Sequence, residues 1–301
     1  MVGAPALAHP SAMGHVGRVS DEPITAYLFP GQGAQDAASL ADVERDAPDL
    51  LALCVELLGG EEPFTRCDES TRFAQPAILL ASLAAWRRLA PTAATDRVHA
   101  GHSLGELTAL AAAGALSQED AVRLAVRRGA AMADAAERTG AQGMVAVLKG
   151  TPEAAAALAA EHGLVVANDN APGQMVLSGA QDGIAAARRA ARGEGMRAIE
   201  LNVAGAFHSP AMRSARPPFA AAVDAVAWSE PDVPVYSGLT AAPFADPVQQ
   251  LIDALTAPVR WREVMDALHE RGVTAFVDVG PSDVLEQLVV RNPSRTVSAD
   301  A

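Results

Sequence analysis

Cysteine is nearly absent from this 301-residue chain: Cys54 and Cys67 are the only two, too few and too unpatterned for a disulfide framework or a metal site. No apolar run approaches the length of a membrane span. Residues 1–23 lack a charged start followed by an apolar core, so no signal peptide is expected there. Cations are scarce as well, 23 Lys and Arg against 36 Asp and Glu, and the formal net charge of −13 removes the broad basic surface that phosphate recognition requires. That argues against a nucleic-acid binder. It does not exclude an acidic partner, for which a local basic patch suffices. Aromatics make up only 4% of the chain while half of it is hydrophobic and alanine is abundant, a composition that favours helices packed closely on a sheet. The expectation is a cytoplasmic, monomeric protein with a large core and no membrane contact.

What is present begins with Gly101-His102-Ser103-Leu104-Gly105-Glu106. It reads G-x-S-x-G, the spacing of a nucleophile elbow, where a serine sits on a sharp turn between a strand and a helix. Glycine has no Cβ, so it tolerates the turn and lets strand and helix pass close together. The serine is left at the tip, over a helix N-terminus whose free N–H groups stabilise an oxyanion. The flanks agree with this. Arg97-Val98-His99-Ala100 is short enough for a buried strand, and Leu104–Ala113 is rich in helix formers and stops at Gly114. Glu106 falls in the first turn of that helix, where a carboxylate complements the dipole. Without such flanks the motif is an ordinary Gly-Ser loop.

Residues 1–23 mix Ala, Pro, Gly, Ser and His without periodicity and read as a flexible tail, with His9 and His15 inert. Ordered chain is expected from Ile24 to Phe29, a β-branched and aromatic run that stops at Pro30-Gly31-Gln32-Gly33-Ala34-Gln35. A strand delivering a Gly-rich loop suits an active-site rim, because ligands of α/β folds bind beyond the carboxyl ends of strands. Helices are expected around 46–60 and 75–90, and over Gln118–Glu137, where Val122, Ala125, Val126, Gly129 and Met132 recur at helical spacing. Arg127-Arg128 places one guanidinium near the apolar face of that helix and one away from it. A buried arginine beside a nucleophile suits a carboxylate, which it binds bidentately.

The pattern changes over residues 142–204: strand Gly143–Leu148, helix Thr151–His162, strand Leu164–Ala167, strand Met175–Gly179, helix Gln181–Gly193, strand Met196–Val203. That βαββαβ order is the ferredoxin-like one. It is expected as a small subdomain inserted into a larger α/β subdomain formed by residues 24–141 and 205–301. In the returning part, Pro234–Ser237 and Ala275–Gly280 read as strands and Val259–Arg271 as a helix.

A serine nucleophile needs a base within hydrogen-bond reach, and imidazole is the usual one. His102 adjoins Ser103, but the elbow turns it elsewhere, towards a place in the pocket wall. His99 lies on the entering strand and His162 ends a helix of the insertion. His269 suits a Ser–Asp–His chain order, although a solvated helix face explains it well. His208, in the loop where the insertion rejoins the large subdomain, is the better candidate, because pockets form at such junctions. On position alone both His208 and His269 stay open.

Several segments point one way together: Phe29-Pro30-Gly31-Gln32-Gly33-Ala34-Gln35, Gly101–Glu106, Arg127-Arg128-Gly129 with Met132, Asn170-Ala171-Pro172-Gly173-Gln174, Ala206-Phe207-His208-Ser209, Pro258-Val259-Arg260-Trp261 and Val279-Gly280-Pro281. In content and order they resemble the malonyl-CoA:acyl carrier protein transacylases and the acyltransferase domains of polyketide synthases, over about residues 24–290. The resemblance implies a hydrolase-like α/β subdomain with a parallel sheet and a ferredoxin-like insertion. It implies Ser103 as the acylated nucleophile, His208 as its base and the backbone N–H groups of Gln32 and Leu104 as the oxyanion hole. Arg128 would hold the malonyl carboxylate, and His102, Met132, Asn170, Phe207 and Ala254 would surround the pocket. No cofactor and no metal are implied. Malonyl-CoA is the implied substrate, and the implied partner is an acyl carrier protein bearing a phosphopantetheine thiol, in fatty acid or polyketide synthesis.

Details of the resemblance carry further expectations. Malonyl-selective members often have Ala-Phe-His at the base and methylmalonyl-selective ones Ala-Ser-His; Ala206-Phe207-His208 therefore favours malonyl. Phe207 would meet a branch at the acyl α-carbon, a discrimination of roughly 1–3 kcal/mol per methyl-sized group. Gly205 stands where malonyl members often carry histidine. Four residues before Pro258 the family usually has glutamine or asparagine, whose backbone carbonyl supports the base; Ala254 keeps the carbonyl and loses the amide, so the orientation of His208 Nδ1–H should survive. The implied reaction is ping-pong through an acyl-serine.

Two other functions suit the same residues: an editing thioesterase that clears acyl groups from a carrier protein, and a non-catalytic docking protein. Arg128 argues against the first, since an unpaired guanidinium is costly to bury where the acyl chain is uncharged. Retention of Ser103, His208 and Arg128 together argues against the second. Docking of an acidic carrier is expected on the helix Gln181–Gly193, with Arg188, Arg189 and Arg192 and with Arg197 nearby; a solvated helix face is the other reading.

Overall fold

A computed structural model describes residues 23–203 and 205–294. Of the tail expected at residues 1–23, only Pro23 falls among them, and His9 and His15 lie outside.

The chain runs through β1 (Ile24–Phe29), α1 (Leu40–Asp46), α2 (Pro48–Leu57), α3 (Thr71–Leu89), β2 (Arg97–Gly101), α4 (Gly105–Ala112) and α5 (Gln118–Thr139). Next come β3 (Gln142–Leu148), α6 (Pro152–Glu161), β4 (Val165–Ala171), β5 (Gln174–Ala180), α7 (Gln181–Gly193) and β6 (Arg197–Glu200). The remainder is α8 (Arg216–Val223), β7 (Val235–Ser237), β8 (Ala242–Pro243), α9 (Pro247–Ala254), α10 (Trp261–Glu270), β9 (Val273–Asp278) and α11 (Val284–Arg291).

One sheet has the order β8-β7-β2-β1-β9 and is parallel except for the short edge strand β8. Helices cover both of its faces, so β1 and β2 are buried along nearly their whole length, and β1 reads as an almost continuous apolar run. α3 is buried almost all round, consistent with a sequence that is apolar on every side. The second sheet, order β4-β5-β3-β6, is antiparallel throughout and carries α6 and α7. It has its own small core of Val145, Leu158, Leu164, Leu177 and Ile184. No helix among the described residues is long and apolar enough to cross a membrane.

The differences from the sequence reading have physical causes. The helix expected around 46–60 is α2; a separate α1 precedes it and stops at Ala47, because Pro48 has no N–H to continue α1 and instead occupies the first turn of α2. β4 runs on to Ala171, well past Ala167. Asn168 and Asp169 nevertheless pair with β5 across the Pro172-Gly173 turn, Asn170 falls at a register irregularity before Ala171, and Asp169 N donates to the Val259 carbonyl. β6 stops at Glu200, and Leu201–Val203 instead form part of a cavity wall. The short helices α8, α9 and α11 leave no periodic signal of their own.

Candidate active site

β1 and β2 end side by side, Phe29 opposite Gly101, and the loops that leave them form the floor of a cavity of about 400 Å³. Ser103 tips the turn between β2 and α4 with φ 56°, a left-handed conformation costing about 1–2 kcal/mol for a residue with a Cβ. Close packing imposes it. A Cβ on Gly105 would lie 1.9 Å from the Phe29 carbonyl oxygen, so the helix can approach β1 this closely only at a glycine. Among the described residues, the backbone N–H groups of Gln32 and Leu104 have no protein acceptor. They are free to receive an oxyanion.

His208 reaches the serine from the loop after the second sheet. Its Nε2 lies 2.7 Å from Ser103 Oγ, and its Nδ1 lies 2.9 Å from the Ala254 carbonyl and 3.2 Å from that of Ala257. Carbonyls only accept, so Nδ1 carries the proton and Nε2 presents a lone pair to the serine hydroxyl. The two carbonyls orient the ring as a triad carboxylate would, without adding a charge. Ala254, expected to line the pocket, does not: it sits behind the imidazole, and its backbone rather than its side chain meets the site.

Arg128 faces inward from α5 while Arg127 is exposed. It donates from Nη2 to Ser103 Oγ at 3.1 Å and from Nη1 to Gln75 Oε1 at 2.8 Å. Burial pulls the guanidinium down to about 10, against the opposing pull of the Glu106 carboxylate. Burial pushes Glu106 up to about 7, against its hydrogen bonds and Arg128. Glu106 was expected only to complement the α4 dipole. It is in fact buried, accepting from Gly238 N at 2.7 Å and Ser237 Oγ at 3.2 Å, and so ties the elbow helix to the end of β7.

The remaining expected residues fall as follows. His102 Nε2 donates to Asn170 Oδ1 at 2.9 Å, and its ring tilts against Trp261, so it stands in the cavity wall. Met132 accepts from Gln75 Nε2 through its sulfur at 3.3 Å. Phe207 lines the cavity with its ring over Gly205, where an added Cβ would come within 2.8 Å of it; the bare glycine is the space in which Phe207 rests. His99 is a core residue among Tyr27, Phe29 and Trp86, held near 4 by burial. His269 is half-buried rather than fully solvated: it packs on Phe276 and its Nε2 donates to the Asn292 carbonyl, while the base position beside Ser103 is held by His208.

Sequence reasoning missed Gln75, Ala257 and the contribution of α11, which brings Leu285, Gln287 and Arg291 to the cavity. A glutamine in the apolar run Phe73–Leu80 was the one available signal for Gln75. Asn292, just past α11, donates from Nδ2 to the Asn170 carbonyl and so fastens that helix to the wall that carries Asn170.

Burial, and then the nearby Arg128 charge, drive the His208 imidazole down to about 3. Protonation removes the lone pair on Nε2, so base catalysis is lost as pH falls through the histidine's own value. The acid limb of kcat/KM, which reports the free protein, is therefore expected to stay level to about pH 4, with no inflection at the ordinary value of 6.5. Stopped-flow acylation across that range checks this, and a midpoint near 6.5 would contradict it.

A serine on a left-handed elbow, a neutral histidine behind it, two free N–H groups and a buried guanidinium make this a site of serine-mediated acyl transfer on an α/β hydrolase-like fold. The chain belongs to the acyl transferase domain family, whose model matches residues 26–299. It is 37% identical over 286 residues to the malonyl CoA-acyl carrier protein transacylase of Bacillus subtilis, covering 88% of this chain and 89% of that protein. It is 38% identical over 279 residues to the polyketide biosynthesis protein ThaF of Burkholderia thailandensis, covering 88% of this chain; the match spans only 24% of ThaF. Among solved structures, a malonyl-transacylase in complex with its type II PKS acyl-carrier protein superposes with a TM-score of 0.81 at 29% identity, covering 89% of this chain and 92% of that one.

Proposed function

We propose that this acyltransferase moves a malonyl group from malonyl-CoA to the phosphopantetheine thiol of an acyl carrier protein. The observation that carries the reading is the Arg128 guanidinium, buried and 3.1 Å from Ser103 Oγ. A cation there meets the free carboxylate of an acyl group bound as an ester to that serine. Two of its five N–H groups are engaged, and the others remain for a carboxylate.

Ser103 Oγ attacks the thioester carbonyl while its proton passes to His208 Nε2. The oxyanion is held by the N–H groups of Gln32 and Leu104. The transient imidazolium is steadied by the Ala254 and Ala257 carbonyls. Collapse breaks the C–S bond, and His208 returns the proton to the departing CoA sulfur. The carrier thiol then gives its proton to His208 and attacks the acyl-serine; the ester C–O bond breaks, and His208 returns the proton to Ser103 Oγ. A bound malonyl carboxylate offsets the Arg128 charge that depresses His208, so the base strengthens when the right substrate is in place.

An editing hydrolase would use the same serine and histidine, but an uncharged acyl chain would leave Arg128 unpaired in the pocket. A single assay separates the two: malonyl transfer to a carrier protein, measured beside hydrolysis of acetyl- and propionyl-carrier. Transfer exceeding hydrolysis supports the proposal; the reverse order overturns it. Malonyl rather than methylmalonyl selectivity goes with Phe207 in the cavity, and a cytoplasmic location goes with use of CoA thioesters.

The carrier's docking surface is proposed on α7. Arg188 already pairs with Glu200, whereas Arg189, Arg192 and Arg197 are exposed with no ion-pair partner among the described residues. Reversing charge at Arg189 and Arg192 is expected to raise KM for the carrier roughly tenfold and leave that for malonyl-CoA unchanged. An unaltered carrier KM in steady-state kinetics would remove α7 from the interface.

A further inference from the structure

The guanidinium that meets the acyl carboxylate and the loop that supplies an oxyanion donor come from distant parts of the chain, yet one line of hydrogen bonds joins them. Arg128 Nη1 donates to Gln75 Oε1 at 2.8 Å, Gln75 Nε2 donates to Thr71 Oγ1 at 2.9 Å, and Thr71 Oγ1 donates to Gln32 Oε1 at 2.8 Å. Every donor points the same way. A guanidinium only donates, which sets the Gln75 amide with its oxygen towards Arg128 and its nitrogen towards Thr71. The threonine oxygen accepts from that nitrogen and has its single hydrogen left for Gln32.

The line exists because α3 and α5 cross closely at Gly129, where a Cβ would lie 2.8 Å from the Thr71 carbonyl oxygen. Thr71 begins α3 and Gln75 follows one turn later on the same face. Arg128, Gln75 and Thr71 are 4%, 1% and 7% exposed, so water does not readily replace a missing member. The Gln32 side chain has no other hydrogen-bond partner among the described residues.

We infer that Thr71 is a positioning residue for acyl transfer, its hydroxyl setting Arg128 and the Gln32 loop as one unit and thereby favouring carboxyl-bearing acyl groups over plain ones. This rests on the roles proposed above for Arg128 and Gln32. Thr71 touches neither the serine nor the cavity; it acts through Gln75 and Gln32. A malonyl group depends on both ends of the line, the cation and the oxyanion loop. An acetyl group depends only on the loop end.

Thr71→Val keeps the shape and removes the hydroxyl, leaving Gln75 Nε2 and Gln32 Oε1 without it. With malonyl-CoA its kcat is expected to fall about tenfold to a hundredfold with KM little changed. With acetyl-CoA the loss is expected to be smaller, so the malonyl-to-acetyl ratio drops. Thr71→Ser restores the hydroxyl and is expected to recover both kcat and the ratio. Thr71→Ala, which adds no bulk, is read on the same ratio should the valine variant not fold. Equal losses for malonyl and acetyl, a serine variant as impaired as the valine one, or a valine variant within about twofold of the parent would each overturn the inference. Failure of the unmutated protein to take up a malonyl group in the same experiment would instead overturn the reading of the site on which it rests.

Discussion

Ser103→Ala is expected to lower malonyl transfer by at least about a thousandfold, with the fold intact. The variant removes the atom that lies 2.7 Å from His208 Nε2 and accepts from Arg128 Nη2. The oxyanion N–H groups survive it and supply only background rate. Ser103→Gly sharpens the experiment. At φ 56° a side chain is strained and glycine is not, so this variant is expected to be more stable by up to about 1 kcal/mol while equally inactive. Thermal unfolding and transfer assays on the pair check both parts. A Ser103→Gly protein markedly less stable than its parent would mean that the elbow is not the strained element it is taken to be.

Arg128→Ala is expected to lower kcat/KM for malonyl-CoA by roughly a hundredfold to a thousandfold, as for truncation of one partner of a buried charge pair. Acetyl-CoA has no carboxylate to lose, so its kcat/KM is expected to hold or rise. The same variant has a second signature in pH. Arg128 is the second cause, after burial, of the low His208 value; its removal lets the imidazole bind a proton more easily, and the acid limb of acetyl kcat/KM moves up in pH from about 3 towards 6.5. Glu106 loses its cationic neighbour and moves further up from about 7. Parallel losses for malonyl and acetyl, with an unmoved acid limb, would show that Arg128 serves the fold and not the acyl carboxylate.

The parts of the site that were legible in the sequence are those set by local spacing. G-x-S-x-G names a turn within five residues, and the 3.6-residue period of Gln118–Glu137 already separates Arg128 from Arg127. The βαββαβ order of residues 142–204 was readable because each element has its own period. His208 is only a preference on position, because 105 residues separate it from Ser103. What was not legible depends on tertiary approach or on backbone. Any residue has a carbonyl, so neither Ala254 nor Ala257 announces that it orients an imidazole. Gln75 and Thr71 become part of the site only because Gly129 lets α5 lie against the start of α3. Asn168 and Asn170 read as loop residues because their polarity outweighs strand propensity, and they are polar because one face of β4 borders the cavity. Glu106 read as a dipole partner since nothing in sequence foretells that β7 ends against it.

The measurement closest to the central claim is the intact mass of the protein after brief exposure to malonyl-CoA, followed by peptide mapping. One malonyl group per chain is expected, carried on the peptide that contains Ser103 and discharged when an acyl carrier protein with a free phosphopantetheine thiol is added. No adduct, an adduct on another residue, or one that leaves only as free malonate would contradict transfer through Ser103.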